Sequence, residues 1–183
     1  MKKNKIRNMV GIALMSAIVV VLQLVGSFIR FGPVSVSLVL IPIVVGAAVY
    51  GPAAGAVLGG TFGIVVLTQP DTAAFFGISV FGTVLTVMAK GILAGYLAGL
   101  VFRAFGKRNT MLGVLLAAIT CPVVNTGLFV VGSRLFFWDM IQSMGGVVFL
   151  FTVMIGVNFL AELGANMLCA PVIVRIIHAA RHK

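Results

Sequence analysis

The sequence predicts an all-α integral membrane protein. It reads as a compact bundle of six transmembrane helices, both termini cytoplasmic, forming one domain over residues 1–183. Three observations predict this. Apolar residues make up 61% of the chain and charged residues 9%, with a mean hydropathy of +1.23, far beyond the balance of a soluble domain. The apolar residues fall in six stretches parted by turn chemistry. The basic residues gather at alternate ends of those stretches, as lysine and arginine do in cytoplasmic loops.

A helix crossing a core of about 30 Å needs about 20 apolar residues. Span 1 is expected at 9–29. Its basic lead, "MKKNKIR", resembles a signal peptide. The apolar run is long enough to cross and no A-x-A cleavage pattern follows, so span 1 is read as retained. "RFGPVS" leads to span 2 at 35–49, short and without charge. Gly51 suits the end of that helix and Pro52 the first turn of span 3 at 53–68. "TQPDT" precedes span 4 at 78–102, "FGKRN" span 5 at 110–132, and "SRLFFWDMIQSMGG" span 6 at 145–176. Pro42, Pro122 and Pro171 fall inside spans and are expected to kink them. Spans 2 and 3 are marginal in length and open to a tilted, shallow or re-entrant course.

With six spans, Lys2, Lys3, Lys5 and Arg7, then Arg103, Lys107 and Arg108, then Arg175, Arg181 and Lys183 share one side, which the charge rule makes cytoplasmic. Arg30 and Arg134 are left outside. Gly51, Gly55, Gly59 and Gly63 line one face of span 3, and Gly91, Gly95 and Gly99 one face of span 4. Tight helix packing explains both stripes better than a function does.

Several chemistries are missing. The net charge of +10 does not indicate nucleic acid, because the charges sit at the ends of apolar segments. Cys121 and Cys169 lie in apolar runs and imply neither a disulfide framework nor a metal site. There is no G-x-x-x-x-G-K-[ST] and no H-E-x-x-H. His178 and His182 lie in the basic tail, and the acids are Asp71, Asp139 and Glu162. No catalytic residue, metal or cofactor is expected, and an enzyme is a poor reading.

The polar residues at membrane depth carry the remaining information. Thr83, Thr86 and Lys90 on span 4 share a helical face, which Ser79 extends toward the outside. Asn158, Glu162 and Asn166 share a face of span 6, and Asn125 and Thr126 lie just beyond Pro122. A charge at such depth costs about 2.5–3.5 kcal/mol on insertion scales, so it needs a partner or a function. Lys90 and Glu162, about 18 and 24 Å from the outer ends by helical rise, can pair and join spans 4 and 6. Alternatively, spans 4 to 6 line an outward-opening pocket. Lys90 then offers a cation, and Asn125, Asn158, Thr83 and Thr86 offer hydrogen bonds, which suits a small polar ligand with a carboxylate. Arg30 and Arg134 either attract such an anion or anchor the interface. Phe136, Phe137 and Trp138 form an interfacial aromatic belt or a lid.

Taken in order, these features resemble the substrate-binding S-components of energy-coupling factor (ECF) vitamin transporters. The likeness covers the six-span layout, "ALMSA" in span 1, and "SLVLIPIVVGAAVYGPAAGAVLGGTFGIVVL" with its short second helix, G-P turn and glycine-striped third helix. "DTAAFFGISVFGTVLTVMAKGILAGYLAGLVFR" and "CPVVNTGLFVVG" are similar to spans 4 and 5 of the broad riboflavin and pantothenate subgroup. The resemblance implies capture of a vitamin outside the plasma membrane of a prokaryote. Uptake then proceeds with a transmembrane coupling protein and two cytoplasmic ATPases, which accounts for the missing ATP motif. It implies a ligand near Lys90, Asn125 and Asn158, with loop 30–36 as a gate, and a coupling-protein interface at Ala13 and Ala17.

Riboflavin fits less well, because span 2 lacks a D-x-P and span 3 lacks asparagine. Pantothenate suits a buried cation best. Hydroxymethylpyrimidine, a pyridoxine-like compound, a queuosine precursor and folate stay open. Two other classes compete: a free-standing small-solute transporter or channel, and a membrane enzyme using Lys90 and Glu162 as an acid–base pair.

Overall fold

The computed structural model describes residues 2–26, 30–31, 34–35 and 39–181. Helix α1 spans Lys2–Gly26. A two-residue antiparallel pair follows, β1 (Arg30–Phe31) and β2 (Val34–Ser35), with Arg30 opposite Ser35. Then come α2 (Leu40–Tyr50), α3 (Pro52–Leu67), α4 (Pro70–Phe76), α5 (Val80–Phe105) and α6 (Thr110–Phe136). The last third holds α7 (Trp138–Ser143), α8 (Gly146–Phe149), a π-helix over Leu150–Val157 and α9 (Asn158–Arg181).

Most breaks follow local chemistry. Gly51 has φ +99°, a conformation glycine adopts at no steric cost, and Pro52 sits in the first turn of α3. The Gly51 N–H donates to the Ala47 carbonyl at 3.0 Å to close α2, and the Gly55 N–H donates to the Gly51 carbonyl at 3.2 Å to open α3. Gln69 is extended before Pro70, as a residue preceding proline prefers. Ser79 caps α5 by accepting from the Gly82 N–H at 3.0 Å, and Asn109 caps α6 by accepting from the Leu112 N–H at 3.2 Å.

The expected boundaries need two corrections. Helix α2 begins at Leu40 rather than 35, so Pro42 lies in the first turn, where its missing N–H breaks no bond and no kink follows. Helix α6 continues through Pro122 to Phe136, which puts Arg134 in its last turn and not in a loop. Span 6, expected at 145–176, runs as one helical stretch over 146–181 that contains an unexpected π-helical segment. Gly145 and Gly146 both have positive φ, and the π-helix intervenes before α9.

The span count is supported in part. Among the described residues, three helices are long and apolar enough to cross a membrane: Lys5–Gly26, Val80–Phe105 and Thr110–Phe136. Together α3 and α4 pass as a fourth, bent by 80°. The 11 residues of α2 reach about 16 Å, half a bilayer. Its apolarity has another cause. Helix α2 packs against α1, α3, α5, α6 and α9, and buries Leu40, Ile43, Val44, Val45 and Ala47 among them. Large apolar side chains such as Val10 and Leu14 on α1, Phe81 on α5 and Leu168 on α9 are exposed, as lipid-facing residues of a multi-pass membrane protein are.

Helices α3 and α5 run antiparallel with backbones nearly touching. A Cβ on Gly55 would run into the Gly95 carbonyl oxygen, and one on Gly59 into that of Gly91. Gly99 faces Pro52 in the same register. Helices α5 and α6 are also antiparallel, with Gly82 against Phe136 and Gly132 against Thr86. Tyr50 packs on Gly11 of α1. The start of α1, the Gly51 turn and the α5–α6 turn therefore share one end of the bundle. Lys5, Arg7, Arg103, Lys107 and Arg108 lie there.

Candidate functional site

Helix α5 builds the site by periodicity. Its Ser79 cap fixes the start, and Thr83, Thr86 and Lys90 follow on one inward face. The Thr83 hydroxyl donates back to the Ser79 carbonyl at 2.7 Å. The buried Thr86 Oγ1 has no hydrogen-bond partner. All three side chains line a cavity of about 50 Å³, together with Thr72 and Phe75 of α4, and Phe129 and Phe137.

Lys90, half-buried, is held by aromatic faces and by charge. Its Nζ lies 4.9 Å from the Phe129 ring centroid and 5.8 Å from that of Phe62, within the range of a cation–π attraction. Glu162 of α9, 2% exposed, interacts electrostatically with Lys90. That attraction offsets part of the cost of burying the two groups.

An aromatic roof closes the cavity on the side away from the basic end. The rings of Phe75 and Phe137 meet edge to face at 5.0 Å, and those of Phe75 and Phe129 at 6.0 Å. Beneath it, the bent α3–α4 junction is pinned from two sides. The Thr72 hydroxyl donates to the Val66 carbonyl at 2.7 Å. Gln23 Nε2 of α1 donates to Gln69 Oε1 at 3.1 Å, and Gln69 Nε2 returns a bond to the Gln23 carbonyl at 3.2 Å.

The structure thus brings Thr83, Thr86 and Lys90 together at the cavity, with Glu162 as the electrostatic partner of Lys90. Asn125 lies one turn from Phe129 on α6. It is 4% exposed and its Oδ1 has no hydrogen-bond partner, but it does not line the cavity. Arg134 is exposed and stacks on Trp138 at 4.4 Å, which takes both residues away from the cavity lining. Of the three aromatic residues considered as a lid, Phe137 lines the cavity and Trp138 does not. Phe136 packs on Gly82 instead. The backbone of Asn158 opens α9 and that of Arg30 lies in β1, but both side chains fall outside the described residues. Ala13 and Ala17 are exposed on α1, beside Met9, Val10 and Leu14.

Sequence reasoning missed Phe62, Phe75, Phe129 and the Gln23–Gln69 pair. Phe129 carries a readable signal, four residues after Asn125 on the same helical face. The glutamine pair joins positions 46 apart and leaves none.

The arrangement can hold an anion or a hydrogen-bonding solute at Lys90, Thr83 and Thr86 under an apolar roof. The present cavity admits water but not a drug-sized molecule, which needs about 300 Å³ or more. No group of histidine, cysteine or acidic residues among the described residues could hold a metal. A family model described as "ECF transporter, substrate-specific component" matches residues 7–174. No curated protein and no solved structure matches the chain.

Proposed function

The chain belongs to the family of ECF-transporter substrate-specific components, and we propose that it captures a carboxylate-bearing vitamin, pantothenate first among candidates, at Lys90. Its class is that of a substrate-binding transport subunit, not an enzyme. The vitamin enters from the outer face of a prokaryotic plasma membrane. It is taken up with a coupling protein and two ATPase subunits.

The observation that carries the site is the Lys90 ammonium, set between the Phe62 and Phe129 rings and facing a cavity with Thr83 and Thr86. In the empty protein Glu162 balances the cation, and in the loaded protein the ligand carboxylate shares that role. The ligand's hydroxyls and amide bond to Thr83 and Thr86, and to Asn125 and Asn158 if the pocket widens toward α9. Because the cavity is small, entry requires Phe75 and Phe137 to swing aside. Arg30 and Arg134 act at the mouth by long-range attraction, Arg134 from its stack on Trp138. The concentration of cations at one end supports a cytoplasmic placement of that end and of the N-terminus. The exposed face of α1 around Ala13 and Ala17 meets the coupling protein.

Calorimetric titration of a vitamin panel into the purified protein, beside Lys90→Met, tests the reading. Tight binding of one acidic vitamin, lost in the variant, is the expected result. Binding of a neutral vitamin that survives Lys90→Met sinks the role given to the lysine. Transport by the chain alone, without coupling subunits, sinks the partner-dependent mechanism.

A further inference from the structure

A second cavity lies away from Lys90, at the basic end of the bundle. It measures about 280 Å³ and is bounded by the α2–α3 turn and the last turns of α5. Ala48, Val49 and Phe102 give it an apolar wall, Tyr50 a phenol, and Arg103 and Lys107 two cations. The turn geometry makes the space. The positive φ of Gly51 swings the chain over it, and the contact of Gly99 with Pro52 draws α3 against α5. Tyr50, on the pocket wall, is braced on Gly11 of α1.

These cations lack an acidic side chain nearby. The chain has three acids. Asp71 in α4 and Asp139 in α7 lie at the opposite end, and Glu162 is buried within the bundle. An anion from outside the chain is therefore the natural counter-charge for Arg103 and Lys107. The pocket is also amphipathic: apolar on the α2 side, cationic at the last turn of α5, and large enough for a headgroup. A free phosphate would leave the apolar wall unused.

We infer that this pocket binds the phosphate headgroup of an anionic phospholipid, with the glycerol and upper acyl carbons against Ala48, Val49 and Phe102. Arginine and lysine close to the membrane surface hold anionic lipids by charge. The apolar wall adds selectivity over free anions. A lipid seated there braces the α2–α3 turn against α5 and, through Tyr50, against α1.

The test titrates dioleoyl phosphatidylglycerol into the full-length protein in mild detergent and follows the unfolding midpoint. A saturable rise is expected, absent with phosphatidylcholine and reduced at high salt. Arg103→Gln with Lys107→Gln should weaken the apparent affinity about 25-fold, about five-fold per charge. Lys5→Gln with Arg108→Gln, removing equal charge at the same end outside the pocket, should leave it within two-fold. Ala48→Phe fills the pocket while keeping both cations, and should abolish the rise. Any of four results overturns the inference: an equal rise with phosphatidylcholine, an equal loss in the control pair, a full response in Ala48→Phe, or saturation by inorganic phosphate alone. A fifth does so too: no lipid response, while Arg103→Gln with Lys107→Gln releases the coupling subunits, which would assign the pocket to a protein partner.

Discussion

Lys90 Nζ stands 4.9 Å from the centroid of the Phe129 ring, across the interface between α5 and α6. The ring face supplies negative potential beside the half-buried ammonium, so the lysine is stabilised without a full hydration shell. Phe129→Leu keeps most of the apolar volume and removes that face. The variant should lose about 1–2 kcal/mol of stability, read as a lower unfolding midpoint in detergent. A midpoint equal to wild type would mean that the Phe62 ring and Glu162 hold the lysine without the Phe129 ring.

Glu162 and Lys90 form the second test. Glu162→Gln removes the negative charge that attracts Lys90 and should cost about 1–3 kcal/mol, between the values for exposed and for fully buried pairs because Lys90 is half-buried. Lys90→Met together with Glu162→Gln removes both charges and should recover much of that loss. If the double variant is as unstable as the sum of the singles, the two charges are not coupled. An acidic vitamin should raise the midpoint of Glu162→Gln more than that of wild type, because the ligand then brings the missing negative charge.

Neighbouring glycines of α3 should respond in opposite ways. A Cβ on Gly59 meets the Gly91 carbonyl oxygen, an immovable backbone atom, whereas one on Gly60 finds only Ile92 Cγ1 at 3.5 Å, an ordinary contact. Gly59→Ala should therefore cost about 3 kcal/mol by forcing α3 from α5. Gly60→Ala should be neutral or gain up to about 1 kcal/mol from helix propensity. Parallel thermal unfolding of the two variants decides it. Equal effects would mean that α3 and α5 are not held at backbone contact.

The same pair of helices shows how far the sequence could be read. Four-residue glycine spacing announced a close approach, and the Gly51–Pro52 junction announced a turn, because each rests on one residue's own geometry. Thr83, Thr86 and Lys90 were legible as a face for the same reason. Helix α2 was not: an apolar run of this length reads alike as a marginal span or as a short helix buried on every side, and periodicity cannot separate them. Nor did the sequence mark the π-helix over Leu150–Val157. The aromatic roof needs three rings from three segments to converge, and phenylalanine is too common in a membrane chain to flag any one of them.

Gln23 and Gln69 give the last prediction. Each side chain makes a bond that fastens the end of α1 to the bent junction of α3 and α4, next to the roof over Lys90. Both side chains are buried, 3% and 8% exposed, so truncating one removes a buried hydrogen bond from the other. Gln69→Leu should cost about 1–3 kcal/mol, whereas Gln23→Leu with Gln69→Leu should cost less than that single change, since two leucines leave no orphaned side-chain amide. Because the junction carries Thr72 and Phe75 into the cavity lining, Gln69→Leu should also weaken vitamin binding, and the double variant should not restore it. Calorimetry beside thermal unfolding separates the two effects. Recovery of both stability and affinity in the double variant would show that the pair fills space there and does not fix the position of α4.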